Sequence, residues 1–214
     1  MKIDYHCHIL PGIDDGAEDL DDAVYLAGRL VKLGYERAIC TSHCSFLYHN
    51  TPQIVTEACN LLRAELERQG IKLELVPSME YRLIEDTWPV VIAHNWLMPW
   101  EGNHILIELP LHDPSKMGDI DALVEVRKLI AQGYQPVLAH PERYNFLEMD
   151  DIRALKDAGA ELQRNLGSFE GFYGEAVGIR TRQIESEGLF DWVGTDLHNY
   201  RYADFFENHV FSKR

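Results

Sequence analysis

Apolar and polar positions follow two rhythms along the chain. Some stretches carry apolar residues three and four positions apart, the spacing of one face of an α-helix. Ile54, Val55, Ala58, Leu61, Leu62 and Leu66 form one such stripe within residues 52–69. Other stretches are short apolar runs, as expected of strands covered on both faces. The two kinds are joined in a fixed way: an amphipathic stretch ends in glycine and a β-rich run follows. The junctions are "VKLGYERAIC", "ERQGIKLELV", "IAQGYQPVLA", "KDAGAELQRN" and "ESEGLFDWVG", with Gly34, Gly70, Gly133, Gly159 and Gly188 at the turns. A helix end calls there for the left-handed conformation, which glycine adopts without a Cβ penalty.

The pattern predicts strands near residues 2–8, 37–43, 72–79, 104–109, 135–140, 161–165 and 191–196. It predicts helices near 19–33, 52–69, 117–132, 149–158 and 174–187. Residues 86–103 read as an irregular, tryptophan-rich connection with room for a short helix. Helix followed by strand, repeated, argues for a parallel sheet with helical crossovers. No Pro/Gly/Ser-rich linker divides the chain, so residues 1–214 are read as a single domain. Seven β/α units predict an α/β barrel one strand short of the eight-fold one, with chemistry at the C-terminal strand ends.

Six of the seven predicted strands end in residues that bear chemistry. His6 and His8 end the first and share a face by the two-residue period. His43 ends the second, Glu80 follows the third, and Glu108 lies inside the fourth. An inward carboxylate in an apolar strand is costly unless paired or metal-bound. His140 ends the fifth strand, and Pro141 biases it toward extended backbone. Asp196 and His198 close the seventh. Imidazole with carboxylate suits Zn²⁺, Mn²⁺ or Fe²⁺. Five histidines, two glutamates and one aspartate exceed what one tetrahedral ion takes. With Asp14 added, the set fits two or three ions sharing a carboxylate. His49, His94, His104, His112 and His209 lie off the strand ends and read as surface or loop residues.

Charge and composition narrow the function. A formal charge of −15 repels nucleic-acid phosphates and membrane surfaces, so neither partner is expected. There is no uninterrupted apolar stretch at the start and no run of about 18 apolar residues, so a cytoplasmic protein without membrane insertion is expected. Cys7, Cys40, Cys44 and Cys59 read as reduced, buried thiols, their spacing missing that of zinc ribbons. Cys7 lacks the CX5R context of a nucleophile, since residue 13 is Ile13.

The strand-end residues resemble the PHP (polymerase and histidinol phosphatase) family. Within it, "DYHCHILPGIDDG", "AHPERY" and "GTDLHN" are similar to the bacterial tyrosine phosphatases that accompany capsule and exopolysaccharide synthesis. The resemblance implies a distorted (β/α)7 TIM-like barrel with a trinuclear metal centre. It assigns His6, His8, Glu80 and Asp196 to one ion. Glu80 bridges to a second, completed by Glu108 and His140, and Asp14, His43 and His198 hold a third. Arg143 and Arg201 match the family's phosphate-binding arginines, and Asp15 is left as a turn or helix-capping residue. The reaction implied is phosphomonoester hydrolysis by hydroxide generated at the metals, with Mn²⁺ preferred and Fe or Zn²⁺ open. His43, Asp196 or a metal-bound water is a candidate proton donor, and Tyr48, Tyr144 or Phe172 a candidate wall for an aromatic substrate. A phosphotyrosine protein is the implied substrate, by family the tail of a bacterial polysaccharide-export kinase, and a homo-oligomer is compatible. The family's relatives continue beyond the DxH motif through a longer C-terminal segment than the sixteen residues after His198. Competing readings are a small-molecule phosphatase such as histidinol phosphatase and a catalytically silent metal-binding partner in polysaccharide assembly. A polymerase-associated nuclease is disfavoured by the acidic charge.

Overall fold

A computed structural model describes residues 1–211. Seven parallel strands form one sheet in sequence order. They are β1 (Ile3–Cys7), β2 (Arg37–Cys44), β3 (Glu74–Arg82), β4 (His104–Glu108), β5 (Gln135–Ala139), β6 (Glu161–Asn165) and β7 (Trp192–Gly194). The sheet curls until β7 reaches β1, and the chain just beyond β7 completes the contact. Asp196 donates its backbone N–H to the His6 carbonyl at 2.7 Å, and His8 donates to the Leu197 carbonyl at 2.9 Å. Beneath them the buried Asp4 carboxylate accepts from the Thr195 backbone N–H at 2.8 Å and from its hydroxyl at 2.6 Å. The result is a nearly closed TIM-like barrel.

The helices are α1 (Leu20–Lys32), α2 (Pro52–Gln69), α3 (Trp88–Ala93), α4 (Ala122–Ala131), α5 (Met149–Asp157), α6 (Glu175–Ser186) and α7 (Tyr200–Phe205). The five junction glycines all have positive φ, from 66° to 102°. The Asp19 side chain caps α1 by accepting from the Asp22 N–H, so Asp15 is not the helix cap. α4 starts later than the sequence pattern suggests. Asp121 accepts from the N–H groups of Leu123 and Val124, which fixes the first turn there. Within the tryptophan-rich connection, α3 forms with Trp88 buried. α7 follows the last strand, where no helix was expected, and Asn199 caps it by accepting from the Arg201 N–H at 3.1 Å.

The main core lies between the barrel wall and its helices. α1 buries Ala23, Leu26, Ala27 and Leu30. α2 buries Val55, Ala58, Cys59, Leu62 and Leu66, while Ile54 and Leu61 face outward, so its apolar stripe is narrower than the sequence implies. A second, smaller core fills the N-terminal half of the barrel interior. Ile39, Leu106, Val137 and Ala139 form it, with Trp100, and Tyr5 packs against it. All four cysteines are free and buried. The interior is thus apolar at one end, and alternation along the strands carries a different set of side chains to the other.

Candidate metal centre

The first strand needs an irregularity to deliver its histidines. Tyr5 packs inside the barrel and Cys7 packs among the helices outside, although a strict two-residue period would put both on one face. The register between Asp4–Cys7 and Ala38–Cys40 shows one extra residue on β1. Such a bulge re-aims the side chains that follow it, and His6 and His8 both turn inward. Gly194 makes room for His6, because a Cβ there would stand 2.4 Å from the His6 Cβ.

Inside, donor atoms converge. His6 Nε2 lies 3.0 Å from His8 Nε2, 3.3 Å from Asp196 Oδ1 and 3.5 Å from Glu80 Oε1. His140 Nε2 is 3.2 Å from Glu80 Oε1 and 3.7 Å from Glu108 Oε1. His43 Nδ1 is 3.0 Å from Glu80 Oε2. Two ligands bound to one ion at about 2.0–2.2 Å stand roughly 3–4 Å apart, which is the spacing seen here. Among the described residues, four overlapping groups have mutually close donors: His6, His8 and Asp196; His6, Glu80 and His140; His43, Glu80 and Glu108; and His8, Asp15, His43 and His198.

Two features mark the cluster as built for cations. Both carboxylate oxygens of the fully buried Glu80 lack a hydrogen-bond donor, an expensive condition for an anion unless something else neutralises it. Partners also fix the tautomers, as is usual for metal-ligating histidines. His6 Nδ1 is 2.8 Å from Gln163 Oε1, His8 Nδ1 is 2.9 Å from Asp14 Oδ2, and His198 Nδ1 is 2.9 Å from the Asp196 carbonyl. Each contact places a proton on Nδ1, so Nε2 is the nitrogen left to face the cluster.

Electrostatics keep the carboxylates charged. Burial raises the pKa of Glu80, but the imidazoles of His6 and His43 outweigh it and hold Glu80 well below the usual carboxylate range. Burial likewise opposes ionisation of Asp196, and His6, His198 and Arg143 overcome it. Burial, reinforced by the neighbouring His8, pushes His198 down to about 4, so it is neutral near pH 7. For His8, burial is outweighed by Asp14 and Glu80, and its pKa stands well above 6.5.

Several expectations change. Asp14 does not enter the donor groups. Its side chain is fully buried, and its Oδ2 accepts from His8 Nδ1 and from the His43 backbone N–H at 2.9 Å. Asp15 is the acid that faces the cluster, 3.4 Å from His43 Nε2 and 3.7 Å from His198 Nε2. Arg201 lies outside the pocket: it is exposed on α7 with its guanidinium 5.2 Å from the Phe172 ring centre. Arg201 is the second residue of α7, whose first turn Asn199 caps, and its side chain is on the solvent side there. His140 is left-handed at φ 34° and ψ 56° rather than extended, so tertiary contacts override the bias from Pro141. Tyr144 is wholly buried and receives the Leu109 N–H, and Phe172 packs with Tyr202 and Phe205. Of the three proposed ring walls, Tyr144 lies buried against His140 at 5.6 Å, and Tyr48, partly exposed, stacks 5.9 Å from His43.

The pocket above the cluster holds about 240 Å³ and is walled by Arg82, Arg143, Leu111, Asn199 and Tyr202 besides the donor residues. Arg143 donates to Asp196 Oδ2 at 2.9 Å and lies over the Tyr173 ring. Asn165 and Tyr173 donate to the same oxygen, leaving Asp196 Oδ1 for the imidazoles. Arg82 was missed by sequence reasoning, and its Nε sits 2.5 Å from Glu108 Oε2. The signal was present, since Arg82 is two residues beyond Glu80 and therefore on its face of β3. Gln163 and Asn165 were readable in the same way as the inward positions of β6.

Fold and site together define a PHP-type barrel carrying a candidate multi-metal centre. Residues 2–203 match the family described as "Capsular polysaccharide synthesis, CpsB/CapC", and the chain belongs to that family. It is 31% identical over 207 residues to the tyrosine-protein phosphatase YwqE of Bacillus subtilis, covering 95% of this chain and 80% of that protein. It is 24% identical over 205 residues to the tyrosine-protein phosphatase CpsB of Streptococcus agalactiae, covering 92% and 83%. Its structure resembles one from a study of YwqE from Bacillus subtilis and CpsB from Streptococcus pneumoniae, described there as metal-dependent tyrosine phosphatases. The TM-score is 0.84 at 32% identity, covering 94% of this chain and 81% of the other. Histidinol phosphate phosphatase from Lactococcus lactis, solved with zinc, L-histidinol and phosphate, shares the fold at a TM-score of 0.58 and 15% identity, covering 99% and 93%.

Proposed function

We propose that this protein is a metal-dependent protein tyrosine phosphatase. The observation that carries the reading is the fully buried Glu80, both oxygens without a hydrogen-bond donor, ringed by imidazoles whose free nitrogens face it. Relatedness to named tyrosine phosphatases over nearly the whole chain supports the substrate class.

His6, His8, Glu80 and Asp196 would hold one ion, and Glu80, Glu108 and His140 a second. His43 and His198, with Asp15 in place of Asp14, would hold a third. Mn²⁺ is the first choice, and Fe and Zn²⁺ suit the same donors. Divalent ions held by these residues would supply a nucleophilic hydroxide at neutral pH and would offset charge on the phosphate.

The chain's own residues do the rest. Arg143 and Arg82 flank the pocket as cations placed to pair with phosphate oxygens. Asp196 and Glu108 hold those guanidinium groups in position. Asp196 is kept ionised, so it orients Arg143 and does not donate a proton. A tyrosine leaving group, with a pKa of about 10, needs less acid help than an alkoxide. Asp14 orients His8 from behind. The substrate would be a phosphotyrosine protein of the cytoplasm, with the tail of a tyrosine kinase of polysaccharide synthesis as the first to try.

The test is phosphate release from a phosphotyrosine peptide and from histidinol phosphate, each with Mn²⁺ and with chelator. Chelator-sensitive preference for the peptide is expected. Preference for histidinol phosphate would overturn the substrate class, and equal turnover in chelator would overturn the metal requirement.

A further inference from the structure

The pocket above the donor cluster is small and polar, yet a phosphotyrosine arrives on a polypeptide. A second cavity of about 570 Å³ lies beside it, and Arg82 and Leu111 line both. Loops after β2, β3 and β4 form its walls. Its composition changes along its course. At the inner end stands Arg82. Phe46 and Leu47 also line it and are 61% and 73% exposed, high values for large apolar side chains. At the outer edge stand Glu85, Asp86 and Asp113, all exposed, against the single exposed cation Lys116. Asp113 is held below the usual carboxylate range by its Ser115 hydrogen bonds, so it is charged near pH 7. Against these three acids the lining sets two cations, Lys116 and Arg82, the latter already in contact with Glu108.

We infer that this groove is the peptide subsite, and that it selects phosphotyrosines followed or preceded by apolar and basic residues over those flanked by acidic ones. The inference rests on the phosphatase reading. The cationic inner end accepts the phosphate, and the Phe46–Leu47 shelf covers the neighbouring apolar side chain. The acidic edge then favours a lysine or arginine and repels a glutamate, because like charges facing each other across an interface suppress the wrong partner. The net charge of −15 acts in the same direction at long range.

The experiment compares kcat/KM for three phosphotyrosine peptides that differ only in flanking residues: lysine, alanine or glutamate on both sides. Para-nitrophenyl phosphate, too small to reach the groove, is the control. For the Mn²⁺-loaded wild type we expect the lysine peptide to exceed the glutamate peptide by about tenfold or more. The double variant Glu85→Gln, Asp86→Asn should shrink that ratio to below about threefold and leave the control unchanged. Phe46→Ala, Leu47→Ala should raise KM for every peptide by about fivefold to tenfold, with the control unchanged. A flat peptide series on wild type with normal control turnover would overturn the groove and leave the phosphatase reading intact. So would variants that turn over all three peptides like wild type. Absence of turnover on the control and on every peptide would overturn the phosphatase reading, and the groove with it.

Discussion

Glu80 carries more of this site than any other side chain. It is completely buried and faces His6, His8, His43 and His140 within 3.0 to 3.5 Å. Replacing Glu80 with Gln preserves volume and removes the anion. Losing residues that merely orient ligands typically costs about 10–100-fold in affinity or activity, so a shared ligand should cost at least that. The expected outcome for Glu80→Gln is a folded protein with less bound metal and turnover reduced by at least about 100-fold, checked by elemental analysis beside the peptide assay. Wild-type metal content in that variant would remove Glu80 from the centre. The acidic pair of the "GIDDG" turn shows how little one position decides in sequence. Asp14 and Asp15 are chemically equal there, and only the path of the loop sends one behind His8 and the other toward His43 and His198.

At the scale of elements, the strand ends made most of the site legible, because period two and parallel crossovers place strand-end side chains at one rim. His6, His8, His43, Glu80, Glu108, His140, Asp196 and His198 do meet there. What stayed hidden depends on the third dimension. The bulge in β1 breaks the period that would have separated Tyr5 from His6. α7 is a short helix seated by the buried Ala203 and by Phe206 just past its end, a fact invisible to local propensity. Arg82 and the β6 pair Gln163 and Asn165 were readable by alternation alone, yet neither type announces a metal. Two strand-end residues, His140 and Asp196, take positive φ, 34° and 54°, a conformation disfavoured for non-glycine residues and common at functional sites. Gly194 lies beside that strained segment and against His6. Gly194→Ala would overpack it, costing about 1–3 kcal/mol. We expect a lower Tm and weaker metal binding from this one methyl group. An unchanged Tm with unchanged metal affinity would contradict the close approach.

For the whole molecule, closure of the barrel and assembly of the centre are coupled, since the segments 6–8 and 196–198 supply both the closing hydrogen bonds and four of the donors. Metal should therefore stabilise the entire fold by mass action. The pH dependence follows in sign. The pKa of His8 is raised above 6.5 in the folded chain. Without metal, its contribution to stability is full below pH 6.5 and is lost as pH rises through the folded value. Metal needs the neutral imidazole, so protons and metal compete. The gap in Tm between Mn²⁺-loaded and chelated protein should widen steadily from about pH 6 to about pH 8. A constant gap would show that His8 is not a ligand. Among the described residues no helix is long and apolar enough to cross a membrane. The central claim is that this cluster of imidazoles and carboxylates is a metal centre that performs the hydrolysis. The most direct measurement is to titrate metal-free protein with Mn²⁺ while recording bound metal and phosphate release from a phosphotyrosine peptide in the same samples. Turnover should be absent at the start and rise in step with metal bound at the centre. Full turnover by the metal-free protein, or metal uptake without any turnover, would contradict the account.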